Sequence, residues 1–407
     1  SNQQLRSYVQ EHLPDYMIPS AFVWLDAFPL TTSGKIDRQS LPTPDQTQRG
    51  TSQFYVAPRD SVELRLVHIW EELLQVCPIG VMDDFFELGG HSLLAIRLIA
   101  HIQDVFQQNL PVATLFQGAT IEHLANLLRQ RQQNVDTPLS PLIALQPAGE
   151  GQPFFCVHPV GGDIFCYLDL ARELGTDQPF YALQTVSLVD EQQPYQSIGE
   201  IAAQYICALR TRQQRGPYRL GGWSMGGVVA FEMACQLHDQ GQDVAFLALI
   251  DAYPPSFILS GSHSTPQEAS VSFIEDMAAL FGIENTFLPA HSTKITVDEQ
   301  LEHLLQEVCR VHLLPQSTSI AYLKRRLHVF QMNRQALYAY IPRQYPNNLH
   351  LLRSREQMKE NEEDISVGWG ALARGGVSVH ILPGNHYTLV KKPHVSVLAE
   401  YLRTYLA

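Results

Sequence analysis

Apolar positions in the first third of this 407-residue chain recur every three or four residues. Val62, Leu66, Ile69 and Leu73, with Trp70 widening the stripe, predict an amphipathic helix. Asp60 and Glu63 ahead of it are spaced as a capping box. Leu94, Leu98, Ile102 and Val105 predict a second helix that opens at Ser92. Thr120 is placed to cap a third, with Ile121, Leu124 and Leu127 on its apolar face. Residues 54–130 therefore read as a small all-α helical bundle whose stripes form its core.

From residue 141 onward the pattern changes. Short continuous apolar runs at Phe154–Val157, Tyr218–Gly221, Val244–Ile250, Leu349–Leu352 and Val377–Leu382 alternate with helical periodicities. Such runs suit strands covered on both faces, so residues 141–407 predict an α/β domain with a mostly parallel sheet. Between Ser256 and Tyr345 the pattern is helical and irregular, an insertion of the kind that forms a lid. Two polar stretches rich in turn formers, 43–53 and 131–140, read as linkers. They divide the chain into a first piece at 1–42, the bundle and the α/β domain.

Composition narrows the function. A net charge of −13 opposes nucleic acid or an anionic membrane as a partner. The longest apolar runs are far too short to span a bilayer. Six cysteines, at 77, 156, 166, 207, 235 and 309, include no Cys-x-x-Cys pair, and no clustered ligands indicate a metal site. Cysteines scattered in this way are expected to be reduced and buried, as in a cytoplasmic protein. The first residues, SNQQLRSYVQ, lack a signal-peptide core and an initiator methionine, so the chain is expected to be a piece of a longer one.

Gly222-Trp223-Ser224-Met225-Gly226 is a Gly-x-Ser-x-Gly pattern between a predicted strand and a predicted helix, the setting a nucleophile elbow needs. An unassisted serine hydroxyl is a poor nucleophile, so a base is required. His386, in a Pro-Gly-Asn-His loop directly after the strand VSVHIL, fits best of the sixteen histidines. His380 lies inside that strand and is expected to be packed, and His394, after Pro393, is expected on the final helix. Asp251, at the end of the run VAFLALI, is the preferred acid, and Glu356 after the next strand is its rival. Met225 supplies one backbone N–H for an oxyanion hole. Val160, in the His158-Pro159-Val160-Gly161-Gly162 loop, supplies the second, because Pro159 has no N–H to give. His158 reads as a residue that orients this loop.

The densest motif is Asp83 to Leu98, DDFFELGGHSLLAIRL. Gly89 and Gly90 permit a sharp bend, and Ser92 sits where a helix start offers unpaired N–H groups, a seat for a phosphate. This stretch resembles the signature of acyl and peptidyl carrier proteins. The resemblance implies that Ser92 carries covalent 4′-phosphopantetheine, attached from coenzyme A by a phosphopantetheinyl transferase. Residues 1–42 resemble the C-terminal tail of a nonribosomal peptide synthetase adenylation domain, in which Lys35 of Gly-Lys-Ile-Asp-Arg contacts the acyl-adenylate. With the nucleotide-binding core absent, Lys35 is expected to be idle. Most of 141–407 resembles the thioesterase domains of nonribosomal peptide synthetases, through the His-Pro-Val-Gly-Gly loop, the Gly-Trp-Ser-Met-Gly-Gly elbow, the Leu-Ile-Asp-Ala-Tyr strand end and the Gly-Asn-His loop. That likeness implies an α/β-hydrolase fold with a helical lid, and it favours Asp251 as the acid.

Together these features predict a terminal carrier–thioesterase module. A peptidyl or acyl thioester would pass from the carrier to Ser224 and leave by hydrolysis or macrocyclisation. Upstream adenylation and condensation domains are the expected partners. A non-catalytic carrier scaffold predicts a damaged triad, and the candidate triad is intact. An editing thioesterase or esterase is disfavoured by fusion to a carrier. A reductive release domain needs a Gly-x-Gly-x-x-Gly after a strand, which the chain lacks.

Overall fold

A computed structural model describes residues 55–90, 92–106, 108, 110, 112, 114–133, 140–188, 196–258, 266–281, 296–310, 320–358 and 364–406, with Leu25, Phe28 and Pro29. Lys35 and the rest of the expected adenylation tail lie outside the described residues, as does the linker 43–53. The chain divides into two compact units, one of residues 1–108 with 118–135, the other of 109–117 with 136–407.

The helical unit contains α1 (Ser61–Leu74) and α2 (Ser92–Phe106). The single turn α3 (Thr114–Gln117) groups with the second unit, while α4 (Ile121–Gln133) follows in the helical unit and runs into the stretch expected to be a linker. Leu66, Ile69, Trp70 and Leu73 are buried as expected. Leu98 and Ile102 of the α2 stripe are buried as expected, joined by Ala95, Ile96 and Ile99, while Leu94 is half-buried and Val105 is exposed. Thr120 accepts the His123 N–H at 3.2 Å, the predicted cap.

The capping box at α1 is only half formed. Asp60 Oδ1 accepts the N–H groups of Val62 and Glu63, both at 2.9 Å. Glu63 does not return to the Asp60 N–H; its carboxylate accepts the Arg59 N–H at 2.8 Å instead. It also holds the Arg59 guanidinium, and Arg129 of α4 at 3.0 Å. Glu63 is fully buried, so these bonds replace its hydration and tie α4 to the start of α1. The Arg59 hydrogen bonds outweigh desolvation and hold the carboxyl pKa down, at about 2. A depressed pKa contributes stability that is whole above the ordinary value of 4.5 and is lost as pH falls toward 2. Glu63→Gln is expected to lower the stability of the bundle by about 2 kcal/mol at neutral pH and to flatten this acid limb. Urea unfolding read by amide exchange in α1 measures both effects.

The second unit is built on seven strands: β1 (Leu142–Gln146), β2 (Phe154–Val157), β3 (Phe180–Leu183), β4 (Tyr218–Trp223), β5 (Val244–Ile250), β6 (Leu349–Ser354) and β7 (Val377–Leu382). Their order is β1-β3-β2-β4-β5-β6-β7. Only β1 is antiparallel to its neighbour. The five expected strands are present, with β4 and β6 each two residues longer than expected. β1 and β3 add to them; neither was foreseen, since each is a run of four or five residues beside a proline with no periodicity of its own. Alternate residues of β2 enter opposite cores. Phe155 and Val157 join Tyr205 and Phe231 on one face, while Phe154 and Cys156 join Leu398 and Leu402 on the other.

The helices that cover the sheet are α5 (Leu168–Leu174), α6 (Ile198–Arg210), α7 (Met225–Asp239) and α12 (Val395–Leu406). Between β5 and β6 stand α8 (Pro255–Ile258), α9 (Pro266–Phe281), α10 (Val297–Arg310) and α11 (Ile320–Ala339), the expected helical insertion. Among the described residues five cysteines are free: Cys156 and Cys235 are buried, but Cys77 and Cys207 are exposed, contrary to expectation. Among the described residues no helix is long and apolar enough to cross a membrane.

Candidate functional site

The strand order reverses between β2 and β4: the chain leaves β2 for β3 on one side and returns to β4 on the other. Loops at such a switch point diverge and leave a crevice at the C-terminal ends of the strands. The loop after β2 is the His-Pro-Val-Gly-Gly segment, and the residue after β4 is Ser224. Tyr167 closes the base of the split. Its hydroxyl donates to Val157 O at 2.5 Å and accepts the Trp223 N–H at 2.7 Å. Tyr167 is fully buried, and nothing in its local sequence distinguishes it from an ordinary core tyrosine.

Ser224 has φ 58° and ψ −128°, a strained conformation for a residue with a side chain. Its N–H continues the ladder past the strand by donating to Ile250 O at 2.9 Å. The flanking glycines are dictated by space. A Cβ on Gly222 would fall 2.1 Å from the Gly226 carbonyl carbon, and one on Gly226 would fall 2.1 Å from Val157 O. The turn is thus closed by backbone against backbone, which leaves the serine at the edge of the crevice.

Asp251 directly follows β5 with φ 45°, a second strained residue. It is almost fully buried. Its Oδ2 lies 2.7 Å from His386 Nδ1 and accepts the Ser354 hydroxyl at 3.0 Å, while Oδ1 accepts the Ser354 N–H at 2.9 Å. A buried carboxylate with three donors is fixed in direction. The rival acid, Glu356, is exposed in a short 3-10 turn beyond β6. The end of β6 thus brings Ser354 to the site as a holder of Asp251. No spacing rule marked that serine.

His386 is carried by a loop that Asn385 shapes. The Asn385 carboxamide oxygen accepts the N–H groups of Tyr387 and Thr388 at 3.1 and 3.0 Å, and Gly384 supplies φ 93°. The imidazole lies 5.0 Å, ring to ring, from Trp223, the residue before Ser224. His380 packs against Tyr401, 4.1 Å between ring centroids, away from this loop. His394 stands just before α12, one residue short of the helix expected to contain it.

His158 is buried and its neighbours fix its tautomer. Nδ1 faces Pro159 O at 2.6 Å, so it bears the proton, and Nε2 accepts the Tyr205 hydroxyl at 2.6 Å. Burial pushes its pKa down to about 4, which keeps it neutral. Pro159 O also accepts the Gly162 N–H at 3.0 Å. Across a trans peptide the N–H points opposite to the C=O, so anchoring Pro159 O turns the Val160 N–H away from these partners. The expected role of His158 in orienting the loop has this geometry behind it.

Lid side chains reach the same loop. Asn333 of α11 donates Nδ2–H to Val160 O at 2.8 Å. Arg326, also on α11, forms a buried ion pair with Asp163. Burial raises the Asp276 carboxyl of α9 to about 6, offset by a hydrogen bond from Tyr387 and by the nearby His386.

In the helical unit the Asp83–Gly90 segment is largely packing. Asp83 Oδ2 accepts the Gly80 N–H at 2.8 Å, and Phe85 N–H reaches Ala119 O at 2.7 Å. A Cβ on Gly90 would fall 2.3 Å from the Phe85 ring, so glycine is required there. Gly89 has φ 100° and open space beside it. Ser92 is the first residue of α2, not its N-cap. A helix start leaves N–H groups without intrahelical partners, and with the room at Gly89 this fits a phosphate ester.

Residues 152–405 match the thioesterase domain family, and residues 65–128 match the phosphopantetheine attachment site family. A dimodular nonribosomal peptide synthase of Bacillus subtilis (strain 168) is 39% identical over 271 residues, 67% of this chain and 11% of that protein. Chondramide synthase of Chondromyces crocatus is 32% identical across 99% of this chain and 10% of its own length. The chain therefore spans about a tenth or less of the first curated relatives it matches. A solved holo four-domain nonribosomal peptide synthetase, bound to AMP and glycine, matches 99% of this chain and 30% of its own with TM-score 0.63 and 33% identity. The helical unit is a phosphopantetheine carrier and the α/β unit has the α/β-hydrolase fold, so the chain belongs to the thioesterase family in the carrier–thioesterase form found in nonribosomal peptide synthetases.

Proposed function

We propose that this chain releases a peptidyl or acyl group from its own carrier, with Ser224, His386 and Asp251 as the catalytic residues and Ser92 as the attachment point. One observation carries the reading: a carrier unit and a site in which buried Asp251 holds His386 share one chain. Phosphopantetheine on Ser92 supplies a thiol that holds the acyl group as a thioester. Tethering raises the effective concentration of that thioester at the hydrolase site.

His386 removes the Ser224 proton as the serine oxygen attacks the thioester carbonyl. Asp251 holds Nδ1–H and stabilises the imidazolium that forms. The N–H groups of Val160 and Met225 receive the oxyanion. His386 returns the proton to the departing thiolate, leaving an acyl ester on Ser224. The same histidine then activates water, or a nucleophile within the acyl chain, to free an acid or a ring. The expected partners are a phosphopantetheinyl transferase with coenzyme A, and upstream adenylation and condensation domains.

Ser92→Ala tests the coupling. It is expected to abolish release of a carrier-loaded peptide while hydrolysis of a small soluble thioester stays within about twofold of the parent. Equal loss with both substrates, or undiminished release, counts against the reading. Mass spectrometry of the product from the parent protein separates a linear acid from a ring, which differ by one water.

A further inference from the structure

We infer that α11 carries the positioning residues of the oxyanion loop, Asn333 at its centre and Arg326 at its far end, so that the lid is part of the catalytic frame. The inference rests on Val160 N–H being an oxyanion donor and adds what holds it there. A loop with two adjacent glycines, Gly161 and Gly162, has little stiffness of its own. Pro159 O is fixed from below by His158 and Gly162 N–H. The next carbonyl, Val160 O, is fixed by Asn333, which is only 3% exposed. With both carbonyls held, the two peptide planes flanking Val160 cannot rotate freely, and its N–H keeps one direction.

Arg326 and Asn333 are seven residues apart on one helix, about 10 Å along its axis and on the same face. Their partners, Asp163 and Val160, are three residues apart in the loop. The two contacts therefore clamp the loop along its length. The helix that bears them is anchored in its middle and near its C-terminal end. Ala336 and Leu337 belong to the sheet core, and Phe330 packs on Phe273 of α9 with ring centroids 5.5 Å apart. A movement of the lid that carries α11 with it must move Val160 O and hence the neighbouring N–H. Donor misplacement by about an ångström costs on the order of 100-fold in rate.

The test is steady-state hydrolysis of a small soluble acyl thioester by the full chain, with thermal midpoints measured alongside. Asn333→Asp keeps the shape but replaces the donor with an acceptor facing Val160 O; Asn333→Ala removes it. Both are expected to lower kcat by about 10- to 100-fold with KM within about twofold, Asp more than Ala. Arg326→Met, measured the same way, reports on the other anchor if either variant fails to fold. Val160→Pro removes the N–H itself and is expected to cost at least about 100-fold in kcat. If Val160→Pro is impaired but the folded α11 variants keep parental kcat, the clamp is refuted. If folded Val160→Pro keeps parental kcat, the donor assignment beneath it is refuted instead.

Discussion

Ser224→Ala is expected to stop release of both carrier-bound and soluble thioesters, with a fall of at least about 10⁴-fold in kcat. The size follows from the site having one hydroxyl placed by the elbow and, among the described residues, no side chain ready to substitute. His158, the other histidine near the crevice, has both ring nitrogens engaged and is buried neutral. The strained backbone at Ser224 is imposed by close contacts among Gly222, Gly226 and Val157, not by the hydroxyl. The alanine variant therefore keeps the fold, and its thermal midpoint is expected to stay within a few degrees. Mass spectrometry after a rapid acid quench provides the direct reading. In the parent the peptide containing Ser224 gains the acyl mass; in the variant it does not. An alanine variant that releases product as fast as the parent rules out the serine nucleophile. Ser92→Ala, by contrast, silences only the carrier-bound substrate, so the two serines separate by substrate.

Asp251→Asn is expected to lower kcat by about 10⁴-fold, while Glu356→Gln stays within about threefold. The carboxylate at 251 accepts from Ser354 N–H, Ser354 hydroxyl and His386 Nδ1 and donates to none of them. An asparagine there must set its oxygen against the Ser354 N–H, which can only donate. That turns its NH₂ toward His386 Nδ1 and forces the imidazole proton to Nε2, the atom that has to accept from Ser224. Glu356 is exposed, so its neutral isostere disturbs nothing buried. Hydrolysis of a soluble thioester by the two variants decides the matter, and an inactive Glu356→Gln beside an active Asp251→Asn would overturn the assignment.

Local chemistry is what made much of this protein readable from its order of residues. The stripe Leu66, Ile69, Trp70, Leu73 is set by the period of a helix, and the run Val244–Ile250 by burial on both faces of a parallel strand. Gly222, Ser224 and Gly226 lie within one turn, so their steric requirement is written in five consecutive residues. Asp251 and His386 could be picked because one directly follows a plain apolar strand and the other lies in the short loop after a strand. Periods fix the face of a helix only to about one residue, which is why the buried face of α2 holds Leu98 and Ile102 as expected but also Ala95 and Ile99.

The residues that no pattern marked act across long stretches of chain. Tyr167 joins β2 to β4, Ser354 reaches back 103 residues to Asp251, and Asn333 reaches back 173 residues to Val160. Each is a common residue type whose hydrogen bonds become possible only when the sheet closes or, for Asn333, when the lid helix packs on it. The choice between Asp251 and Glu356 has the same character. Both carboxylates follow a strand, and only the packed sheet decides which is buried against His386 and which faces water. Short-range sterics and periodicity are properties of neighbours in the chain; the direction of a buried polar group is a property of neighbours in space.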